Sequence, residues 1–279
     1  MSTLKELLRF TPKLGVEFGS AAFEMTFFWQ TIAWHIAKGD IKRGNGQPIL
    51  ILPGFTATDG SLIFLVWALR ALGYTPYTWK QGRNHGRFEE FRPKLLEVFY
   101  DIHRKHDCPV ELIGWSKGGR MALKLSNILG ADYVSGIVTI GSPIWPNSLR
   151  SLDDIPGFLH EGKETFVDKL ACLIHSKVGK GLQEIKRDIS TIMLELQKPA
   201  PMPPANISYT SIIGGVDMIV PREDALLPDH LLREWVQNQI VLGCSHVGLG
   251  LSGRTIVYIA QHIQSDYEHY YDEHEMLSA

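Results

Sequence analysis

The chain has 279 residues and a formal net charge of -2, with 28 basic and 30 acidic side chains scattered along its length. A length in this range buries one large core, and one α/β domain carrying an insertion is the default organisation. The even scatter of Lys and Arg excludes the clustered basic footprint of a nucleic-acid binder. Three cysteines, Cys108, Cys172 and Cys244, stand without CxxC or metal-ligand spacing and read as buried thiols of a reducing compartment.

In chain order, the first segment, 1–46, reads as helical and packed on the core. It shows no series of basic n-region, apolar h-region and small-residue cleavage site, so a cytoplasmic location is expected. Its aromatic run "AAFEMTFFWQTIAWHIA", Ala21 to Ala37, falls short of the roughly 20 apolar residues of a membrane span. Glu24, Gln30 and His35 also interrupt it. Two readings of the run stand, an amphipathic helix packed on the domain and an interfacial helix resting on lipid, and the first is preferred.

"GNGQ" then separates this region from "PILILPGF", an apolar run that reads as a buried strand feeding a tight turn. Helices are expected around Ser61–Leu72, Glu89–Lys105 and Lys117–Leu129, alternating with strands around Thr75–Trp79, Val110–Ile113 and Ser135–Ile140. Such alternation predicts βαβ crossovers and a mostly parallel sheet with helices on both faces. From 144 to 205 helical segments follow one another without a convincing strand, and "KPAPMPP" punctuates their end. Strands resume at Asn206–Ile213 and Gln239–Gly243, and a closing helix runs near Thr255–Ile263. The expected division is therefore a core of 47–143 and 206–265, a helical cap or lid of 144–205, and a fraying tail of 266–279.

The chemistry centres on "GWSKG", Gly114 to Gly118. A lone GxSxG is weak, but this one follows the apolar "VELIG" and opens the amphipathic "KGGRMALKLSNIL", the strand-turn-helix setting of a nucleophile elbow. Glycines two residues either side keep side chains out of the crowded turn, and Gly119 gives relief where the helix passes the sheet. Ser116 would thus stand exposed at the carboxyl edge of the sheet. A serine hydroxyl needs a base within hydrogen-bond reach and a carboxylate to orient that base. Asp217 in "SIIGGVDMIVP" and His246 in "IVLGCSHVGLG" each follow an expected strand, in the order Ser, Asp, His. An oxyanion hole requires two backbone N–H groups. Lys117, after the nucleophile, is one candidate donor and Phe55 in "LPGF" the other, with Gly54 letting the turn form and the Thr56 hydroxyl as an added contact.

On "ILPGF", "GWSKGG", "IGSP", "GGVDMIVP" and "GCSHVGLG", in that order between Gln47 and His262, the chain resembles the α/β-hydrolases, on their lipase and carboxylesterase side. The resemblance implies a serine ester hydrolase, and it makes "WKQGRNHG", Trp79 to Gly86, similar to the Gly-x-Asn-x-Gly loop of bacterial lipase-like members, which lies near the active site. Two departures stand out. Pro53 occupies the place of a histidine in many lipases, and Lys117 a position often apolar or glutamine. Both leave the backbone donors intact and bear on substrate preference.

Other residues have weaker claims. Asp153 and Asp154 are rivals to Asp217 for the acid, and their place at the start of the insertion ranks them second. Trp115 and Trp145 flank the expected pocket, where aromatic bulk suits an acyl chain or simply fills core. Two readings of His85 and Arg83 stand equally, contact with a substrate and a plain loop tip. His269 and His274 lie in an acidic tail without ligand-spaced partners, so no metal site is expected. The expected partner is a small ester or lipid, with no cofactor and no nucleic acid; the oligomeric state has no signature. An acyltransferase sharing the same acyl-enzyme, or a silent hydrolase fold used for binding, remain the alternatives, and the ester itself is open.

Overall fold

The computed structural model describes residues 2–145, 195 and 198–278. Most of the expected insertion, together with Asp153, Asp154 and Cys172, lies outside these residues. Among the described residues six strands form one sheet: β1 (Pro48–Leu52), β2 (Thr75–Thr78), β3 (Val110–Trp115), β4 (Val134–Ile140), β5 (Ser208–Gly214) and β6 (Val236–Val241). Their order is β2-β1-β3-β4-β5-β6 and every neighbouring pair is parallel.

A parallel sheet covered on both faces needs apolar residues at consecutive positions, and β1 supplies them. Ile49 and Ile51 point into one core cluster, Leu50 and Leu52 into the other. The first cluster is closed by α1 (Ser2–Lys38), α2 (Ile63–Ala71) and α7 (Gly253–Ser278), through Phe28, Leu69 and Val257. The second is closed by α3 (Phe88–His106) and α4 (Lys117–Leu129), through Leu95, Phe99 and Met121. Pro76 sits in β2, an edge strand, where its missing N–H costs no internal ladder bond. The other edge, β6, reads "VQNQIV" and carries polar residues that discourage further pairing.

Two short helices complete the carboxyl side of the sheet, α5 (Arg222–Ala225) and α6 (His246–Leu249). Helix α4 has the expected bounds. Two expected bounds are corrected. Strand β6 begins at Val236 and ends at Val241, earlier than the expected Gln239–Gly243, because polar Gln237 and Asn238 belong to the edge strand. Helix α7 runs beyond the expected Thr255–Ile263, to Ser278, since no Gly or Pro after Gly253 interrupts it. The expected N-terminal helical segment is α1, running from Ser2 through the aromatic stretch to Lys38.

Candidate active site

Strand β3 ends at Trp115 and α4 begins at Lys117, leaving Ser116 alone to turn the chain. Its backbone takes φ 55° and ψ -122°, a region that costs any residue with a Cβ. The turn is held by the Ser116 amide, which donates to the Ile140 carbonyl at 2.7 Å, and by the Gly119 amide, which donates to the Ser116 carbonyl at 3.0 Å. The flanking glycines are steric necessities. A Cβ on Gly114 would lie 2.4 Å from the Gly118 carbonyl oxygen, and one on Gly118 would lie 2.3 Å from that of Leu52. At Gly119 it would meet Ser142 Oγ at 2.1 Å. The helix therefore begins directly over the ends of β1 and β4, with its amino terminus beside the serine.

The loop after β1 passes along the other side of Ser116. A Cβ on Gly54 would stand 3.2 Å from the serine Cβ, tighter than ordinary contact, so a side chain here would press on Ser116. Phe55 is half-buried, and Thr56 adopts φ 63° in the left-handed region. Asn84 braces this loop from beneath. Fully buried, it donates from Nδ2 to the Pro53 carbonyl at 2.7 Å, receives the Thr56 amide on its own carbonyl at 2.6 Å, and donates its amide to the Ala57 carbonyl at 2.9 Å. Asn84 is the asparagine of the Gly-x-Asn-x-Gly segment, but nothing in the residues alone singled it out. The His85 ring lies 4.2 Å from that of Phe91 and its Nε2 3.6 Å from Glu90, beside the first turn of α3.

Asp217 lies three residues past β5, and His246 opens α6 after β6. The two side chains meet. His246 Nδ1 is 2.7 Å from Asp217 Oδ2, with the side chains 8% and 2% exposed. The carboxylate is itself fixed, because Oδ1 accepts the amides of Ile219 at 2.9 Å and Val220 at 2.7 Å. With Nδ1 occupied by a carboxylate, the imidazole carries its proton there and keeps Nε2 as acceptor. The pair sits at the carboxyl end of β4, as Ser116 does: a Cβ on Gly141 would be 3.1 Å from His246 Nδ1, and the neighbouring Ile140 carbonyl holds the Ser116 amide. Trp115 lies between site and core, its ring centroid 6.4 Å from that of His246 and its edge against Gly250. Trp145 faces elsewhere, edge-on to His230 at 6.1 Å.

The inner face of α1 holds both loops. The buried Glu17 carboxylate accepts the Met218 amide on Oε1 at 2.8 Å and the Val247 amide on Oε2 at 3.0 Å. Ser20 Oγ accepts the Ser245 amide at 3.0 Å and donates to the Gly243 carbonyl at 3.0 Å. Further along, Glu24 pairs with Arg254, whose other nitrogen donates to the Leu242 carbonyl at 2.9 Å. Residues 17, 20 and 24 form one helical stripe. That spacing was visible in the sequence, but its partners, over 200 residues away, were not.

The two ends of the insertion are tied to α4. The buried Arg120 guanidinium donates to the carbonyls of Pro143 at 2.7 Å, Glu195 at 3.0 Å and Lys198 at 2.9 Å. The Lys117 ammonium pairs with Glu195, which Lys124 also reaches at 2.6 Å. Burial pulls the Lys117 ammonium down to about 8, against the opposing attraction of Glu195. Burial raises the Glu195 carboxyl, but Lys117 and Lys124 outweigh it and hold it below its ordinary value. The unusual lysine after Ser116 thus serves the base of the insertion.

No protein-family model matches the chain, and no curated protein matches it in sequence. Solved structures do. A bromoperoxidase from Bacillus anthracis aligns with TM-score 0.51 at 16% identity, over 81% of this chain and 93% of its own. ClbQ of the colibactin NRPS/PKS pathway aligns with TM-score 0.54 at 14% identity, over 80% and 98%. An epoxide hydrolase from Vigna radiata aligns with TM-score 0.52 at 13% identity, over 80% and 92%. At such identities the likeness speaks for architecture alone, and by that architecture the chain has the α/β-hydrolase fold.

Proposed function

We propose that the protein is a serine hydrolase of carboxylic esters, with Ser116 as nucleophile, His246 as general base and then acid, and Asp217 as the group that orients the imidazole. The observation that carries this reading is the 2.7 Å contact of His246 Nδ1 with Asp217, at the same strand end as the strained serine turn. Ser116 Oγ attacks the ester carbonyl while His246 Nε2 takes its proton. The carbonyl oxygen becomes an anion held by the backbone N–H groups of Lys117 and Phe55. The intermediate collapses, the ester C–O bond breaks, and His246 returns the proton to the departing alcohol. Water repeats the sequence in reverse and frees the acid and Ser116.

Residues 144–205, whose described members Glu195 and Lys198 are tied to α4 through Arg120 and Lys117, would provide the acyl pocket as a cap. Half-buried Trp115 beside His246 and the aromatic-rich sequence around the site favour fatty over short acyl groups. The structural neighbours range from a bromoperoxidase to an epoxide hydrolase, so the ester is argued from the residues and not from them. The test is direct. Purified Ser116→Ala should lose nearly all p-nitrophenyl ester turnover, and a fluorophosphonate should label the wild type at Ser116 and not the variant. Wild-type turnover by Ser116→Ala would overturn the assignment.

A further inference from the structure

From Val16 to Ala37 α1 carries two acids, Glu17 and Glu24, and both are buried against the protein. Over these residues, roughly 33 Å of helix, the outward face is free of charge. It is also rich in exposed rings: Phe18 and Phe23 are each 62% exposed, Trp34 54%, Trp29 49% and Phe27 48%. Ring contacts run from Trp29 through Phe28 and Phe64 to Trp67 on α2, itself 53% exposed, so the two helices share one apolar surface. No helix among the described residues is long and apolar enough to cross a membrane. A surface of this kind lies on something instead of passing through it.

We propose that this face of α1, with the Trp67 edge of α2, docks on an anionic phospholipid surface. Charge decides the occupant. Lys5, Arg9 and Lys13 precede the apolar stretch and Lys38, Lys42 and Arg43 follow it, with Lys38 Nζ seated 4.1 Å over the Trp34 ring. Among the intervening acids of these flanks, Asp40 is paired with His35. A second copy laid helix to helix, parallel or antiparallel, sets cationic ends against cationic ends. Anionic headgroups complement both ends at once while tryptophans fill the interface between headgroup and chain.

The test is co-sedimentation of the full chain with phosphatidylcholine vesicles containing or lacking phosphatidylglycerol. Binding is expected with phosphatidylglycerol, falling as salt rises. Paired Trp29→Ser and Trp34→Ser substitutions should weaken it at least about tenfold, since each half-exposed ring contributes on the order of a kcal/mol of apolar burial. The same positions are exposed, so the variant should keep its melting temperature. Equal partitioning of wild type and variant would overturn the proposal. So would a wild-type dimer by sedimentation equilibrium that the substitutions dissolve, with no vesicle binding.

The inner face of the same helix carries a second inference, which rests on the proposed triad: we infer that Glu17 is a positioning residue. Its two oxygens accept the amides of Met218 and Val247, the residues directly after Asp217 and His246, so one carboxylate fixes the spacing of the two loops. Glu17→Gln keeps the shape but presents an NH2 group to one of the two amides. The expected result, at a temperature where the variant is fully folded by circular dichroism, is a roughly tenfold fall in kcat with KM little changed. Fluorophosphonate labelling should slow equally. A merely structural Glu17 would lower the melting temperature and leave kcat of the folded enzyme at the wild-type value, and that outcome overturns the inference. Ser116→Ala run in parallel separates the two failures, because retained turnover there overturns the triad itself.

Discussion

Replacing Ser116 by glycine should make the protein more stable and inert, whereas replacing it by alanine should make it only inert. The serine holds φ 55° and ψ -122°, which a Cβ makes costly by about 1–3 kcal/mol. Alanine keeps that Cβ and hence the strain. Glycine removes it, and gives back about 0.5–1 kcal/mol because its unfolded chain is freer. The net gain lies between about 0 and 2.5 kcal/mol, centred near 1 kcal/mol, which is a rise in Tm of roughly 2–4 °C for a chain of this size. Little is lost from packing, because the residue facing Ser116 across the loop is Gly54, which has no side chain. Thermal melts of wild type, Ser116→Ala and Ser116→Gly, with ester turnover measured on each, give the comparison. If glycine proves less stable than alanine, backbone strain at the elbow is not a real reservoir, and its geometry must be held by side-chain contacts instead.

Stability should depend on pH through Lys117. Its folded value of about 8 lies below the ordinary 10.5, so between these values the unfolded chain binds a proton that the folded chain has lost. Stability conferred by this group is therefore fully present above about 10.5 and lost as pH falls toward 8, and wild type should gain on Lys117→Met over that rise in urea melts. The backbone N–H of residue 117 survives that substitution, so ester turnover should persist. Asn84→Ala removes the side-chain brace beneath the 53–57 loop and leaves the buried Pro53 carbonyl without its donor, a loss of about 1–3 kcal/mol with a fall in kcat. In a Cys172→Ser background an aromatic disulfide reagent should titrate half-buried Cys108 first, since burial pushes the fully buried Cys244 thiol far up.

Legibility followed how local the cause was. Helix α4 and the Ser116 turn were readable because the steric demand on Gly114, Gly118 and Gly119 is written within six residues. Asp217 and His246 were readable in position, since each follows a strand, and the structure brings them within 2.7 Å. The part played by Glu17 was not readable. In the sequence it is an acid near an aromatic run, and its meaning comes from amides at Met218 and Val247. Glu24 was counted as an interruption of an apolar segment, whereas it faces inward to Arg254 and leaves the outer face uncharged. The contacts of His85 were not readable either. A histidine on a loop tip invites a functional reading, and its neighbours Glu90 and Phe91 at the start of α3 emerge only in the fold.

Helix α1 thus has two faces with different tasks, and the covalent rigidity of a helix couples them. Lipid seated on the outer face can alter catalysis only if it binds the state with ordered Asp217 and His246 loops better than the state without. Glu17 and Ser20 are the contacts through which such a preference is transmitted, since they join α1 to both loops. Anionic vesicles should then raise kcat on a soluble ester for the wild type, and by less for Glu17→Gln, while both proteins bind the vesicles equally. Equal activation of both would mean that lipid acts by a route other than Glu17. Absence of activation with intact binding would make the outer face an anchor, which brings the site to its substrate without changing it.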